Sequence, residues 1–233
     1  MTPLLRSAYH HYRQLVVVGS LVFATAVSLG LLMLRILYTR ELDYVTLGWN
    51  LFLAWLPLLF ALAAYNLYKR SSRLSWLVVA GCALIWLIFF PNAPYLLTDI
   101  AHLLSAQGVP FWYDLIMVIA FAWTGLFLGL VSLYLMQALV RQAAGGPASW
   151  LFALVVSGLS GFGIYLGRFL RWNSWDVLMN PVRLLADVAE RFRHPLAHYQ
   201  TFVFSAMFSL FFVSAYFILV AMMHMQKDLV RQR

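Results

Sequence analysis

The sequence predicts an all-α membrane protein, a polytopic bundle of about six transmembrane helices plus one interfacial amphipathic helix. The composition is 64% hydrophobic and 10% charged, and the mean hydropathy of +0.82 excludes a water-facing globule. Six long apolar runs follow one another along the 233 residues. The runs lack the two-residue alternation of a membrane β-barrel, so helices are the expected way to satisfy the backbone in lipid.

The first three apolar runs occupy about residues 15–34, 49–67 and 74–90. The first run is too long for the hydrophobic region of a signal peptide, and no clear small-x-small cleavage site follows the run before Arg35. We therefore interpret it as a retained span. The third run is expected to end at Pro91, because proline lacks an N–H and its ring clashes with the preceding turn.

The last three runs occupy about residues 115–139, 150–170 and 201–223. Between the last two, Asn180 can cap a helix and Pro181 suits its first turn. The residues that follow place apolar side chains on one side and charged side chains on another, which predicts an amphipathic helix at the interface. We interpret this helix as a connector, with a lid over a polar rim as the alternative.

The loops predict the orientation of a single bundle domain, residues 15–223, between cytoplasmic tails at residues 1–14 and 224–233. An even number of spans places both termini on one side. Nine Lys and Arg residues fall on that side and seven on the other. The positive-inside rule therefore favours cytoplasmic termini. The basic residues flank apolar runs and form no dense tract, so the net charge of +8 indicates membrane lipids and not nucleic acid as the partner.

The acidic residues divide far more sharply than the basic ones. Of the eight Asp and Glu residues, only Asp228 falls on the side of the termini. The other seven fall on the opposite side, which indicates that this face carries the chemistry. They are Glu41, Asp43, Asp99, Asp114, Asp176, Asp187 and Glu190.

The segment after the third run, residues 89–104, carries the first group of candidate residues. Pro91 and Pro94 are expected to force extended or turn backbone, which frees carbonyl groups that Asn92 or a ligand could engage. Tyr95 follows directly in the same segment.

Asp99 and His102 lie three residues apart and would share one face of a helix. The pair could be a proton relay, half of a metal site or an acid/base couple, and equally a polar closure of the span at the interface. Two ligands alone do not make a metal site, and the single cysteine, Cys82, provides neither a disulfide nor a cysteine site. We therefore predict no metal.

A second group surrounds the start of the fourth run and the end of the fifth. Asp114 opens the fourth run, where it could also simply complement the helix dipole. Arg168, Arg171, Trp172 and Trp175 would form one stripe if the fifth helix continued that far. The arginines could hold a phosphate or carboxylate, reach the interface as snorkelling side chains, or pair with aspartates as structural clasps.

Two G-x-x-x-G patterns, at residues 125–129 and 163–167, permit close approach of helices. Together they predict tight packing between the fourth and fifth spans. Such packing would bring Asp114 and Arg168 to the same rim, near the proline segment.

The chain lacks the H-E-x-x-H, G-x-S-x-G, phosphate-loop and dinucleotide signatures. No cofactor is predicted, and no residue is assigned a catalytic role from a motif.

Three polar runs carry a resemblance to a known family. Residues 90–99 read FPNAPYLLTD, residues 112–114 read WYD, and residues 167–176 read GRFLRWNSWD. In these runs the chain resembles a bacterial membrane protein family catalogued as domain of unknown function 1361. The resemblance covers about span two to span six and implies a multi-span inner-membrane protein, with no activity to carry over.

The leading hypothesis is a protein that binds or transports an anionic lipid head group or a small anion at an outward-facing polar rim. In this hypothesis Arg168 and Arg171 hold the anion, and Asp99 and Asp114 orient them. One alternative is a membrane-embedded enzyme acting on a lipid-linked phosphate through His102, and another is a structural or assembly protein. The candidate rim residues are Asn92, Tyr95, Asp99, His102, Asp114, Arg168, Arg171, Asn173 and Asp176.

Overall fold

The computed structural model describes residues 3–68, 73–105 and 109–231. It confirms the all-α prediction, because the described residues form helices and no strand. Six helical stretches are long and apolar enough to cross a membrane, which makes the chain a multi-pass membrane protein. The helices are α1 (Pro3–Thr39), α2 (Val45–Tyr68), α3 (Arg73–Phe89), α4 (Asn92–Tyr95), a 3-10 helix (Leu96–Ser105), α5 (Phe111–Ala144), α6 (Gly146–Leu170), α7 (Asp176–Met179), α8 (Pro181–Arg193) and α9 (Tyr199–Arg231).

The six spans alternate in direction, so residues 40–44, the described residues 102–105 and 109–110, and residues 171–198 lie between spans on the face opposite Pro3 and Arg231. We call this face the distal face. The predicted cytoplasmic tails, residues 1–14 and 224–233, overlap the first turns of α1 and the last turns of α9. Their placement stays a prediction.

The third span is a broken helix that continues past its prolines. The helix break expected at Pro91 is confirmed, because α3 ends at Phe89 and a turn at residues 90–91 separates it from α4. The backbone there is a turn and not extended: Pro91 has φ −59° and ψ −24°, and α4 and the 3-10 helix follow directly. Pro91 precedes the first residue of α4, and Pro94 lies within its first turn. Amide hydrogens at these positions have no partner inside a helix, so proline is tolerated. The apolar stretch accordingly extends from Ser75 to Ala101.

The proline segment, residues 91–96, is seated between α5 and α6. The two G-x-x-x-G patterns predicted tight packing between the fourth and fifth spans, and α5 and α6 do contact each other. The glycines themselves face the proline segment from opposite sides. A Cβ at Gly125 would lie 2.5 Å from a backbone oxygen, so nothing larger than glycine fits there without a shift. The closest approaches of such Cβ atoms are Gly125 to the Ala93 oxygen at 2.5 Å, Gly129 to Pro94 Cδ at 3.3 Å, Gly163 to Pro91 Cγ at 3.0 Å, and Gly167 to Tyr95 Cε2 at 3.3 Å.

The interfacial helix is confirmed as α8. Its apolar side chains remain exposed, with Val182 at 79% and Leu185 at 66%, as expected for a helix that lies against the lipid head groups. Pro181 occupies the first turn as predicted. Asn180 precedes it, but its side chain makes no capping bond, because Nδ2 donates to Asp176 Oδ1 at 3.3 Å instead.

Candidate functional site

The distal face contains two buried ion pairs and one open cavity. The first ion pair joins α1 to α5. Arg35 Nε donates to Asp114 Oδ1 at 2.9 Å, and both side chains are fully buried. The Arg35 guanidinium also lies over the Tyr44 ring, 4.5 Å from its centroid, and Nη2 is 3.9 Å from the exposed carboxylate of Asp43. Asp114 is therefore a partner of Arg35 and not, as the predicted rim implied, of an anion-holding arginine.

Arg35 is a polar-site residue that the sequence reasoning missed. It was only one of the seven Lys and Arg residues counted on the side opposite the termini. The available signal was its position within α1, one turn before Thr39, where a charge surrounded by apolar residues needs a partner.

The second ion pair joins the 3-10 helix to α6. Arg168 Nη1 donates to Asp99 Oδ1 at 3.1 Å. The other carboxylate oxygen, Oδ2, accepts from Asn50 Nδ2 of α2 at 3.0 Å. Asp99 is 1% exposed, so its charge is stabilised by these donors and not by water. Of the roles left open for Arg168, this geometry favours a structural clasp.

Arg171 does not continue the face that carries Arg168. Helix α6 ends at Leu170, and Arg171 adopts a left-handed conformation with φ 61° and ψ 29°. The N–H of Trp172 donates to the Leu166 carbonyl at 3.2 Å, which closes the helix end. The predicted stripe of two arginines and two tryptophans is therefore wrong, because a left-handed residue at a helix end turns the chain away from the helix axis.

The loop after Arg171 is organised around Asp176. The backbone N–H of Asn173 donates to Asp176 Oδ2 at 2.8 Å, and the side-chain amides of Asn173 and Asn180 also face this carboxylate. The Asn173 N–H holds the pKa of Asp176 below its ordinary value of 3.8, and the two amides act in the same direction. Asp176 thus orders its own loop. The loop is tied to α8 because Trp172 Nε1 donates to Asp187 Oδ2 at 2.9 Å.

A cavity of about 400 Å³ opens between α2, the proline segment, the end of α6 and this loop. Four of the predicted rim residues line it: Asn92, Tyr95, Arg171 and Asn173. Sequence reasoning missed further wall residues, which share aromatic or uncharged polar side chains. These are Trp49, Asn50 and Ser174, together with Trp172 and Trp175, which had been noted only as part of the stripe.

Four of the other predicted residues lie outside the cavity wall. Asp99, Arg168, Asp114 and Asp176 are not among the lining residues, and the side chain of His102 lies outside the described residues. Asn50 connects the cavity with the buried pair, since it lines the wall and donates to Asp99.

Asn92 fulfils the role expected of it at the helix break. Its Nδ2 donates to the Phe89 carbonyl at 3.0 Å. The usual helical donor to that carbonyl, the Ala93 N–H, donates to the Phe90 carbonyl instead. The same nitrogen lies 2.8 Å from Ser174 Oγ and so links the third span to the loop after α6.

A family model described as "Protein of unknown function (DUF1361)" matches residues 49–226. The chain belongs to the DUF1361 family. No curated protein and no solved structure matches the chain. The DUF1361 match includes every cavity-lining residue named above and both partners of the Asp99–Arg168 pair. It begins after α1, so Arg35 lies outside the matched segment while its partner Asp114 lies inside.

Proposed function

We propose that this DUF1361 protein binds an anionic lipid head group or a small anion in the distal cavity, with Arg171 as the group that holds the anion. The observation that carries the proposal is the charge distribution around the cavity. Among its lining residues Arg171 is the charged one, and it makes no ion pair with any residue in the described part of the chain. Arg35 and Arg168 are instead paired with Asp114 and Asp99.

The chemistry of the guanidinium supports this role. It presents a planar fork of N–H donors that fits two oxygens of a phosphate or carboxylate at once. The side chain of Arg171 is exposed at the cavity, so an incoming anion need not displace a protein carboxylate from it. A charge-assisted hydrogen bond of this kind contributes about 1.5–3 kcal/mol.

Asp99 and Arg168 become positioning residues in this proposal. They fix Asn50, and hence one wall of the cavity, through the bond between Asn50 Nδ2 and Asp99 Oδ2. The earlier expectation that Arg168 itself holds the anion is replaced by this indirect role. A role of His102 as acid or base stays a prediction.

Arg171→Gly tests the proposal with little damage to the fold. Arg171 and Arg40 share a φ of 61°, a conformation that glycine adopts without strain, so Arg40→Gly is a matched control outside the cavity wall. In nanodiscs of neutral lipid, Arg171→Gly should weaken binding of inorganic phosphate and of anionic lipid by about 10- to 100-fold. Arg40→Gly should leave both unchanged. Equal binding by the two variants would show that Arg171 does not hold the anion.

We further infer that the protein lies in the inner membrane of the cell with its termini in the cytoplasm, so that the cavity faces outward. The inner-membrane location is what the family resemblance implies. The orientation is supported by the excess of Lys and Arg on the side of the termini, nine against seven. The partners are then the membrane lipids and an anionic molecule that reaches the outer leaflet.

A further inference from the structure

We propose that the distal cavity accepts a glycosyl phosphate: a sugar that carries one phosphate, either free or as the diester that links it to a lipid. The proposal rests on the proposed function, since Arg171 would hold the phosphate. It adds the chemistry of the rest of the ligand, which the uncharged walls of the cavity define.

The amide side chains in the wall are oriented by bonds from their nitrogen atoms. Asn50 Nδ2 donates to Asp99, Asn92 Nδ2 to the Phe89 carbonyl and Ser174, and Asn173 Nδ2 lies 3.4 Å from Asp176. The three amide oxygens accept no hydrogen bond from the described residues. A carbonyl oxygen repels an anion and accepts O–H donors. These walls therefore fit a ligand with several hydroxyl groups better than a bare anion.

Ser174 adds the complementary group. Its Oγ accepts a hydrogen bond from Asn92 Nδ2 at 2.8 Å, so its own O–H remains to donate. A sugar hydroxyl both donates and accepts, and it can bond to Ser174 and to an amide oxygen together.

The aromatic wall residues indicate a ligand with an apolar face. The rings of Trp49, Tyr95, Trp172 and Trp175 all line the cavity. The indole of Trp172 is fixed by its bond to Asp187, and that of Trp49 packs against Phe52 with ring centroids 5.4 Å apart. Inorganic phosphate has no surface that benefits from such rings, whereas the C–H face of a sugar ring stacks on them.

Charge and size agree with this class of ligand. One guanidinium matches one phosphate, while a cluster of cations would have indicated a polyanion. A volume of about 400 Å³ lies within the range of small-molecule pockets and is far larger than one phosphate ion requires.

Calorimetry on the full chain in neutral-lipid nanodiscs tests the ligand class with two soluble probes, inorganic phosphate and a hexose 1-phosphate. We expect the hexose 1-phosphate to bind at least about 10-fold more tightly, because the hydroxyl and ring contacts add to the phosphate contact. A polyprenyl-phosphate hexose included in the nanodiscs then separates the two sources. If this lipid competes with hexose 1-phosphate for the cavity, the ligand is the lipid-linked sugar phosphate. If it does not compete, the ligand is the free sugar phosphate.

Trp49→Leu provides the wall variant, and Trp76→Leu is its matched control. Both tryptophans are 54% exposed, and each packs on one neighbouring ring, Phe52 or Tyr68. Trp49→Leu should weaken hexose 1-phosphate binding by about 3- to 10-fold and leave inorganic phosphate unchanged. Trp76→Leu should change neither.

The experiments distinguish failure of the sugar assignment from failure of the proposed anion site. If wild-type protein binds both soluble probes equally and Arg171→Gly still abolishes binding, the sugar is wrong and the anion site stands. If Arg171→Gly affects no probe, or no probe binds, the proposed function fails and the sugar assignment fails with it. The comparison of probes on wild-type protein does not depend on the folding of any variant.

Discussion

Two arginines of the distal face are held by aspartates, and each pair joins segments far apart in sequence. Arg35 and Asp114 connect α1 with α5, whereas Arg168 and Asp99 connect α6 with the 3-10 helix. Taking a guanidinium and a carboxylate out of water costs several kcal/mol per ion, and the attraction between them offsets this cost only while both are present. Removal of one partner is therefore far more damaging than replacement of the pair.

Asp114→Ala is expected to destabilise the protein by about 3–5 kcal/mol, because it leaves the buried Arg35 guanidinium without its carboxylate. Thermal unfolding in detergent measures the loss. Asp43→Ala is the matched control, since Asp43 faces the same arginine at 3.9 Å but is 60% exposed. It should cost less than about 1 kcal/mol. Similar losses in both variants would contradict the importance of the buried contact.

The loop around Asp176 is expected to lose order in acid. Its carboxylate accepts the Asn173 N–H, which lowers the pKa of Asp176 below 3.8. A carboxyl whose pKa is lowered by folding contributes stability above its ordinary pKa, and this contribution disappears as the pH falls through the lowered value. As the pH falls through the lowered pKa of Asp176, hydrogen exchange of the Asn173 backbone amide should accelerate relative to the intrinsic rate of an unprotected amide. In Asp176→Ala the amide should be unprotected already at neutral pH, and equal protection in both proteins would contradict this.

At the scale of elements, the broken third span determines the position of the cavity. The apolar runs identified the six spans, but the residues between them could not be assigned from one-dimensional spacing. Pro91 was expected to end the helix, and α3 does end at Phe89. What the spacing did not reveal is that helix resumes at once as α4, because Pro91 at its N-cap and Pro94 in its first turn need no N–H donor. The G-x-x-x-G patterns revealed close approach without revealing the partner. The conformation of Arg171 was hidden because glycine is the usual left-handed residue.

Gly125→Ala is expected to destabilise the fold by about 1–3 kcal/mol, because its Cβ would lie 2.5 Å from the Ala93 carbonyl oxygen. Gly158→Ala, in α6, is the matched control: no atom lies within 4 Å of its Cβ. Alanine is the better helix former, so this control should be neutral or stabilising by up to about 1 kcal/mol. The comparison requires only unfolding midpoints. A neutral Gly125→Ala would show that the proline segment is not held tightly against α5.

At the scale of the whole molecule, six alternating spans collect the polar chemistry on one face. The acidic residues pointed to this face, and both ion pairs with a buried carboxylate described above lie there. That the face carries the function stays a prediction. The sequence could not distinguish the arginines in ion pairs from the arginine in the cavity. Arg35, Arg168 and Arg171 are chemically identical and differ only in their neighbours. Packing between distant segments decides which arginine remains available.

Thiol labelling tests the orientation of the whole bundle. In a Cys82→Ser background, Glu41→Cys on the distal face should react with a membrane-impermeant maleimide in intact cells. Gln142→Cys, at the opposite end of α5, should react only after the membrane is permeabilised. The side chains of Glu41 and Gln142 are both exposed, so the two introduced thiols are equally accessible on their own side of the membrane. The reverse pattern would place the termini outside the cytoplasm.

The Arg35–Asp114 pair imposes an order of events on biosynthesis. The two residues are 79 positions apart, and chains grow at about 5–20 residues per second, so α1 is made about 4–16 s before its carboxylate partner exists. During that interval the guanidinium cannot remain in lipid, and its place one turn from the end of α1 lets it reach the head groups. The buried position of Arg35 is stabilised only once Asp114 is present. The last step in seating the first helix therefore waits for the ribosome to reach the fourth span.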